Sequence, residues 1–344
     1  MKDGKMLAWI KEPDIEGLTK VECDIPQVTD NNVIVKVKCT GICGTDLGIY
    51  KGYRKVGANL IPGHEFCGEI IELGKNVKGY EVGELVVPSV VNMCGKCWSC
   101  INGFEAQCEN LEEIGIHING SFAEYVSVPA TTLHKVPKEF NVEKAASIEP
   151  VAVAYCAVKK VEDLILGADV MVFGPGAIGL YISQIARIAG ASRVVLVGVT
   201  EDEKRLKIAG DLGIQTINSS KQNIQEEMEK NFPKGKASIV FDATGVASII
   251  GGMLKYLLPH GQLILAGIYH DMTSIDFLEL VRGEISIKGT FCYTLSEFEG
   301  AVRLVRDNKI NFEGIVDVLD FEQLKEGFEN AIDKKSLKVI LKLQ

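Results

Sequence analysis

Four cysteines lie within fifteen residues of the chain, in "CGKCWSCINGFEAQC": Cys94, Cys97, Cys100 and Cys108, spaced C-x2-C-x2-C-x7-C. Four thiolates without a histidine match a closed, tetrahedral zinc site. All four come from one loop, so the metal would order that loop and keep no coordination position for a substrate. Three cysteines at x2 spacing also occur in iron–sulfur proteins. Against that reading, no proline follows Cys108 and no second cysteine cluster exists. A sparser set is spread over a hundred residues. "GICGTD" holds Cys43, Thr45 and Asp46, "PGHEFCGEI" holds His64 and Glu65, and "SIEPVAVAY" holds Glu149. One thiolate, one imidazole and one or two carboxylates suit a zinc with room for water or substrate, as catalysis requires. Singly, each has an ordinary reading: Cys43 as core, His64 as a turn histidine, Glu149 as a helix-start acid ahead of Pro150. Spacing along the chain does not show that they meet.

A third feature is glycine-rich. In "VMVFGPGAIGL", Gly174, Gly176 and Gly179 have G-x-G-x-x-G spacing, follow a predicted strand and open a predicted helix. In that context the pattern points to a dinucleotide site. Gly174 would allow the tight turn, Gly176 the approach of a pyrophosphate, and Gly179 close packing of helix on strand. The helix N-terminus supplies free amides and a favourable dipole. Ala177 and Ile178 at the helix start, with Thr244 and Gly267 farther on, complete the expected cofactor contacts. An NAD site places an acid on the ribose about 20 residues on. Here the strand end carries Gly198, with Glu201 and Asp202 after a longer turn. Arg205 stands nearby, to meet a 2′-phosphate or to pair with Glu201. The cofactor is NAD or NADP.

These groups need elements to hold them. The 344 residues predict two domains. Up to about residue 150 the chain has short β-like runs punctuated by Gly, Pro and Asn, with Val33 to Val37 alternating as a half-buried strand. After Glu149, strand and helix alternate. "DVMVFG" is followed by a helix with Ile178, Ile182, Ile185, Ile188 and Ala189 at helical spacing. "RVVLVG", "IQTIN", "ASIVFDATG" and "GQLILAG" then alternate with helical runs, among them "VASIIGGMLKYL". That alternation predicts a doubly wound parallel sheet. Residues 290–344 revert to the first texture. The expected division is 1–150 with 290–344, and an inserted 151–289. Net charge −9 argues against nucleic acid and anionic membrane as partners. The N-terminal stretch lacks a signal-peptide apolar run, and Val170–Ile182 is too short and too broken by glycine to span a membrane, so the expected location is the cytoplasm. Cys23, Cys39, Cys156 and Cys292 read as small buried hydrophobes.

Taken in order, "GICGTD", "GHEFCGEIIELG", the four-cysteine loop, "GSFAEY", "EPVAVA" and "GPGAIG" resemble the zinc-dependent medium-chain dehydrogenase/reductase superfamily over essentially the whole chain. The resemblance is greatest to the sorbitol (L-iditol) and polyol dehydrogenase branch. Glu149 is the marker, because classical alcohol dehydrogenases carry a second cysteine there and threonine dehydrogenases usually Asp. The implied fold is α/β: a GroES-like irregular β catalytic domain plus a Rossmann cofactor domain. The implied cofactors are two Zn2+ per chain, catalytic and structural, and NAD or NADP. Cys43 and His64 would be zinc ligands, with Glu65 and Glu149 binding directly or through water. Thr45 would accept the substrate hydroxyl proton while hydride passes to the nicotinamide. The substrate would be a small alcohol or polyol; L-threonine or 2,3-butanediol is the alternative, and a non-catalytic nucleotide-binding protein a third reading. Relatives pair through the Rossmann sheet edge, which implies a homodimer or homotetramer. Two positions depart from the pattern. Gly48 stands where many relatives carry a relay histidine, and Cys292-Tyr293 stands where sorbitol dehydrogenases tend to carry Arg-Tyr.

Overall fold

The computed structural model describes residues 4–161 and 165–343. The chain forms two compact units. The first comprises Met1–Ala152, Tyr293–Asn308 and Ile315–Gln344, the second Val153–Cys292 and Lys309–Gly314. No helix among the described residues is long and apolar enough to cross a membrane.

The first unit begins with β1 (Lys5–Ile10), β2 (Thr19–Asp24), β3 (Asn32–Gly41), α1 (Gly44–Tyr50), β4 (Glu65–Leu73) and β5 (Leu85–Pro88). The short β6 (Val91–Asn92), α2 (Trp98–Ile101) and β7 (Glu112–Glu113) frame the cysteine loop. β8 (Tyr125–Pro129), β9 (Leu133–Lys135), α3 (Val142–Ala146) and α4 (Ile148–Lys159) follow. In the second unit come β10 (Asp169–Phe173), α5 (Ala177–Ile188), β11 (Arg193–Gly198), α6 (Glu203–Asp211), β12 (Gln215–Asn218), α7 (Ile224–Asn231), β13 (Ala237–Asp242), α8 (Ile250–Met253), β14 (Leu257–Leu265), α9 (Phe277–Gly283) and β15 (Ser286–Gly289). The chain returns to the first unit with α10 (Leu295–Arg306), β16 (Val316–Asp320), α11 (Leu324–Ile332) and β17 (Lys338–Lys342).

The main sheet of the first unit runs β16-β17-β3-β4-β5-β9, with β8 also on β3. Its register decides what meets at one end. Gly41 of β3 faces Glu65 of β4 on one side and Ile340 of β17 on the other. The strand β3 is not half-buried as its alternation predicts. Val33, Ile34 and Val35 are all buried, because α3 packs on the face opposite the main core. Each such side chain contributes about 1.5–3 kcal/mol by leaving water.

The sheet of the second unit runs β12-β11-β10-β13-β14-β15, all parallel. Numbered along the chain, this is the doubly wound order 3-2-1-4-5-6. Helix α5 is buried from Gly179 through Ala186 rather than along one stripe, and Ile188 of the expected apolar face is exposed. The cause is the short segment 309–314. Gln184 exchanges hydrogen bonds with the Asn311 backbone (3.1 and 2.8 Å), and Phe312 packs edge-on against Tyr181. "VASIIGGMLKYL" is not one helix but a single α-turn, Ile250–Met253, between two 3-10 turns. Of the scattered cysteines, Cys39 and Cys156 are buried as expected, whereas Cys23 and Cys292 are only half-buried.

Candidate active site

Cys43 is the N-cap of α1, in extended backbone just beyond the end of β3. Its N–H donates to the Asp46 carboxylate at 2.9 Å. His64 and Glu65 sit at the start of the neighbouring strand β4. Ligand atoms of Cys43, His64 and Glu65 all lie within 4.8 Å of one another. Gly41 makes this approach possible, since a β-carbon there would fall 2.3 Å from Glu65 Oε2.

The surroundings are buried and rich in negative charge. Asp46 Oδ1 faces His64 Nδ1 at 3.7 Å, the carboxylate–histidine pairing that orients a ligating imidazole. Burial works against a charged His64, but Asp46, the Cys43 sulfur and Glu149 outweigh it and raise the imidazole well above its usual range. Lys338, at the start of β17, is the counter-cation. Its Nζ donates to the Ile42 carbonyl at 3.0 Å and pairs with Glu65 Oε2, both side chains being buried. Burial opposes the charge of Lys338, while Glu65, Cys43 and Glu149 hold its pKa up. A thiol, an imidazole and carboxylates converging out of water, with a single lysine to balance them, fit a divalent cation.

Glu149, in the first turn of α4, is not one of the three converging groups. Its Oε1 accepts a 2.8 Å hydrogen bond from the Tyr293 hydroxyl, which in turn accepts from the Val90 N–H at 3.2 Å. Burial pushes its carboxyl up to about 7, with Glu65 adding to the rise and His64 and Tyr293 opposing it. A consequence is measurable in metal-free protein. Unfolded, the group titrates near its usual 4.5, so between about pH 4.5 and 7 the folded state holds a proton that the unfolded state has lost. The Glu149 contribution to stability therefore falls as pH rises through that window, by up to about 3 kcal/mol. Melting curves should show this slope in the wild type and its loss in Glu149→Gln. Parallel curves for the two proteins would refute it.

Thr45, the second residue of α1, is half-exposed, and its hydroxyl bonds to no described residue. Sequence reasoning missed Lys338 entirely. A lone lysine at the head of a closing strand carries no signal until β17 is placed beside β3. Asp46 and Tyr293 stood within quoted motifs, but their partners were not visible.

The second cysteine set is self-contained. Sγ–Sγ distances are 3.4 Å for Cys97–Cys100, 3.9 Å for Cys97–Cys108 and 4.0 Å for Cys94–Cys100. A tetrahedron of 2.3 Å Zn–S bonds has edges of about 3.8 Å. Backbone amides of Lys96 and Cys97 pull the Cys94 thiol down to about 6. The Cys94 and Asn110 amides both donate to Cys108 Sγ at 3.3 Å. Such a pocket holds thiolates.

In the second unit the glycine loop has the expected geometry. Gly174 has φ +97° and closes the turn. A β-carbon on Gly179 would strike the Gly174 carbonyl at 1.9 Å, while the space beside Gly176, N-cap of α5, is open. Ala177 and Ile178 form the first turn of α5, whose leading amides have no intrahelical acceptor. Thr244 is fixed by Asp242, which accepts from its hydroxyl at 2.7 Å. Gly267 lies where a β-carbon would meet the Gly245 amide at 2.4 Å. Gly198 packs on Pro175, which excludes an acidic side chain at that position. Arg205 lies 3.7 Å from Asp202 rather than pairing with Glu201, and burial, partly offset by Asp202, lowers its pKa.

Residues 29–138 match the alcohol dehydrogenase GroES-like domain family and residues 177–307 the zinc-binding dehydrogenase family. The chain is 30% identical to D-arabitol-phosphate dehydrogenase from Enterococcus avium, over 96% of this chain and 95% of that one. It is 32% identical to sorbitol dehydrogenase from Halalkalibacterium halodurans, over 85% of each. This chain is a zinc-dependent medium-chain dehydrogenase/reductase. An Escherichia coli CFT073 alcohol dehydrogenase solved with NADH is 27% identical to this medium-chain dehydrogenase and superposes with TM-score 0.91 over 99% of this chain and 100% of that one. A Sinorhizobium meliloti zinc-binding dehydrogenase solved with NADP is 26% identical, with TM-score 0.92 over 98% and 99%. The medium-chain dehydrogenase thus has the GroES-like plus Rossmann fold, belongs to the polyol-dehydrogenase-like branch, and uses zinc and NAD(P).

Proposed function

We propose that the enzyme reversibly oxidises a secondary alcohol of a polyol or sugar-derived substrate to the ketone with NAD or NADP. The observation that carries this reading is the convergence of Cys43, His64 and Glu65 beside Thr45. When bound, zinc at this site supplies a Lewis acid that acidifies an alcohol, and the coenzyme supplies the hydride acceptor. Cys43 and His64 hold the ion, and Asp46 orients His64. Glu65 is shared with Lys338. The Thr45 hydroxyl oxygen accepts the substrate proton as its own proton passes on, with Gly48 in place of a histidine, toward coenzyme hydroxyls or water. Tyr293 positions Glu149, so Tyr293 serves the carboxylate rather than polyol hydroxyls. The four-cysteine lobe binds a second, structural zinc. The relatives named for arabitol phosphate and sorbitol support a polyol substrate. Initial rates with NAD and NADP across pentitols, hexitols, L-threonine and 2,3-butanediol test it. Preference for a polyol is expected, and turnover of threonine or butanediol alone would overturn it.

We also infer a homo-oligomer formed through the second unit. No residue of α9 is buried, Phe277, Leu278 and Val281 are 71%, 61% and 67% exposed, and β15 ends the sheet with an edge that no described strand pairs. Sedimentation as a monomer would contradict it. The five cysteines assigned to zinc, Cys43 and the four of the lobe, must stay reduced to bind it, which supports a cytoplasmic location.

A further inference from the structure

The face of α1 that carries Thr45 continues, one turn on, at Gly48. A β-carbon at Gly48 would meet one atom within 4 Å, the β-carbon of Arg54 at 3.6 Å. The Arg54 N–H donates to the Gly48 carbonyl at 3.0 Å. Arg54 therefore takes the place on the Thr45 face that the missing side chain leaves. One arm of its guanidinium is held 3.3 Å from the buried Glu113 carboxylate, and the side chain stays 36% exposed. A guanidinium has five N–H donors, and among the described residues only the arm on Glu113 is engaged, so the other donors remain for a ligand.

Arg54 also lines a cavity of about 470 Å³ at the C-terminal end of α1. One wall is the segment 51–58, which brings Lys51, the C-cap of α1, and Lys55 beside Arg54. The buried ammonium of Lys11 sits at the base, taken up by the carbonyls of Ile15, Gly17 and Tyr50. The opposite wall carries Glu12, Asp14 and Glu16, but among the described residues the only ion pair across the cavity is Lys55–Asp14 at 4.0 Å, between two highly exposed side chains. Lys51 makes no ion pair among the described residues. In a chain of net charge −9, three cations gathered on one wall, one of them an anchored arginine, need an anionic ligand more than a neutral one.

We propose that this wall binds a phosphate monoester on the substrate, so that the preferred polyol is a polyol phosphate. The proposal rests on the polyol dehydrogenase reading and specifies its substrate class. Along α1 the chain rises about 9 Å from Thr45 to Lys51. That is the span over which a five- or six-carbon chain, with its reacting hydroxyl beside Thr45, would present a terminal phosphate to Arg54. An arginine fork meets a phosphate through two parallel hydrogen bonds, and Lys51 adds charge without geometric demand.

The test uses zinc-loaded enzyme and two readouts. First, kcat/KM is measured for pentitols, hexitols and their terminal phosphate esters, with NAD and with NADP. The ester should be favoured by roughly 10- to 100-fold, as charge-assisted hydrogen bonds imply. Arg54→Ala should bring that ratio close to one through KM, Arg54→Lys should restore part of it, and Lys51→Ala, which leaves Glu113 paired, should lower it several-fold. Second, titration calorimetry with inorganic phosphate should show binding weakened about tenfold or more in Arg54→Ala. Equal turnover of ester and parent polyol by the wild type, or a ratio unmoved by Arg54→Ala, would overturn the phosphate site and leave the polyol reading standing. If no polyol of either kind were turned over, the polyol reading would fall, and the calorimetry would still decide the phosphate site: binding independent of Arg54 rejects it.

Discussion

Cys43→Ser is expected to lower turnover by roughly 10³-fold or more while leaving the fold intact. A Lewis acid contributes several kcal/mol to this chemistry, and each 1.4 kcal/mol is a factor of ten. A serine hydroxyl stays protonated near neutral pH and replaces a thiolate poorly as a zinc ligand. The fold should survive because Cys43 is only half-buried and acts as the N-cap of α1. Serine is among the best N-cap residues, and the 2.9 Å bond from its N–H to Asp46 does not depend on sulfur. The measurement is the initial rate beside circular dichroism and melting temperature. Turnover within tenfold of the wild type would remove Cys43 from the metal site.

Cys97→Ser is expected to do the reverse and strike stability first. The lobe around α2 has almost no apolar core of its own. Cys97, Ser99, Ala106 and Cys108 are buried, while Trp98, Ile101 and Phe104 are 66%, 74% and 48% exposed. Metal binding is then the folding energy of the lobe, as in other small zinc-tied segments. Loss of a structural metal belongs to the substitutions that cost about 4 kcal/mol or more, which for a unit this size is a fall of roughly 10 °C in Tm. Melting and limited proteolysis between residues 93 and 111 measure it. A variant that melts like the wild type with the lobe uncut would show that the four thiolates do not brace the chain.

The two sites were unequally legible in the sequence, for a physical reason. In the cysteine lobe and in the glycine loop every participant is local. Gly174, Gly176 and Gly179 lie on one strand–turn–helix, so their spacing already contains the geometry. The proposed catalytic set is not local. Cys43, Glu65 and Lys338 meet because Gly41 faces Glu65 across one ladder and Ile340 across another. Strand register over nearly 300 residues is not written in any short motif, and Lys338 stayed hidden for that reason. Arg205 shows the same limit on a smaller scale. Glu201 and Asp202 are both near it in sequence, and only the 3-10 turn before α6 decides for Asp202. The segment 309–314 is a third case: nothing in its composition marks it as the cover of α5.

The burial of Lys338 with Glu65 has a consequence for the proposed metal site. A buried ion pair is costly to break by removing one member, about 3–5 kcal/mol. Glu65 therefore always has a cation to face, whether or not it also reaches the zinc, and the site can be built before metal arrives. Glu149 has a different anchor in Tyr293, so the two carboxylates are held independently and can play different parts.

Zinc content measured by elemental analysis, on wild type and on Cys43→Ser, shows whether the dense cysteine cluster is the brace and the dispersed set the reactive centre. The wild type should hold about two zinc ions per chain, and folded Cys43→Ser about one, retained by the four-cysteine lobe, with turnover lost. A fully loaded wild type holding a single zinc, or a Cys43→Ser protein that keeps both ions and its activity, would contradict the account.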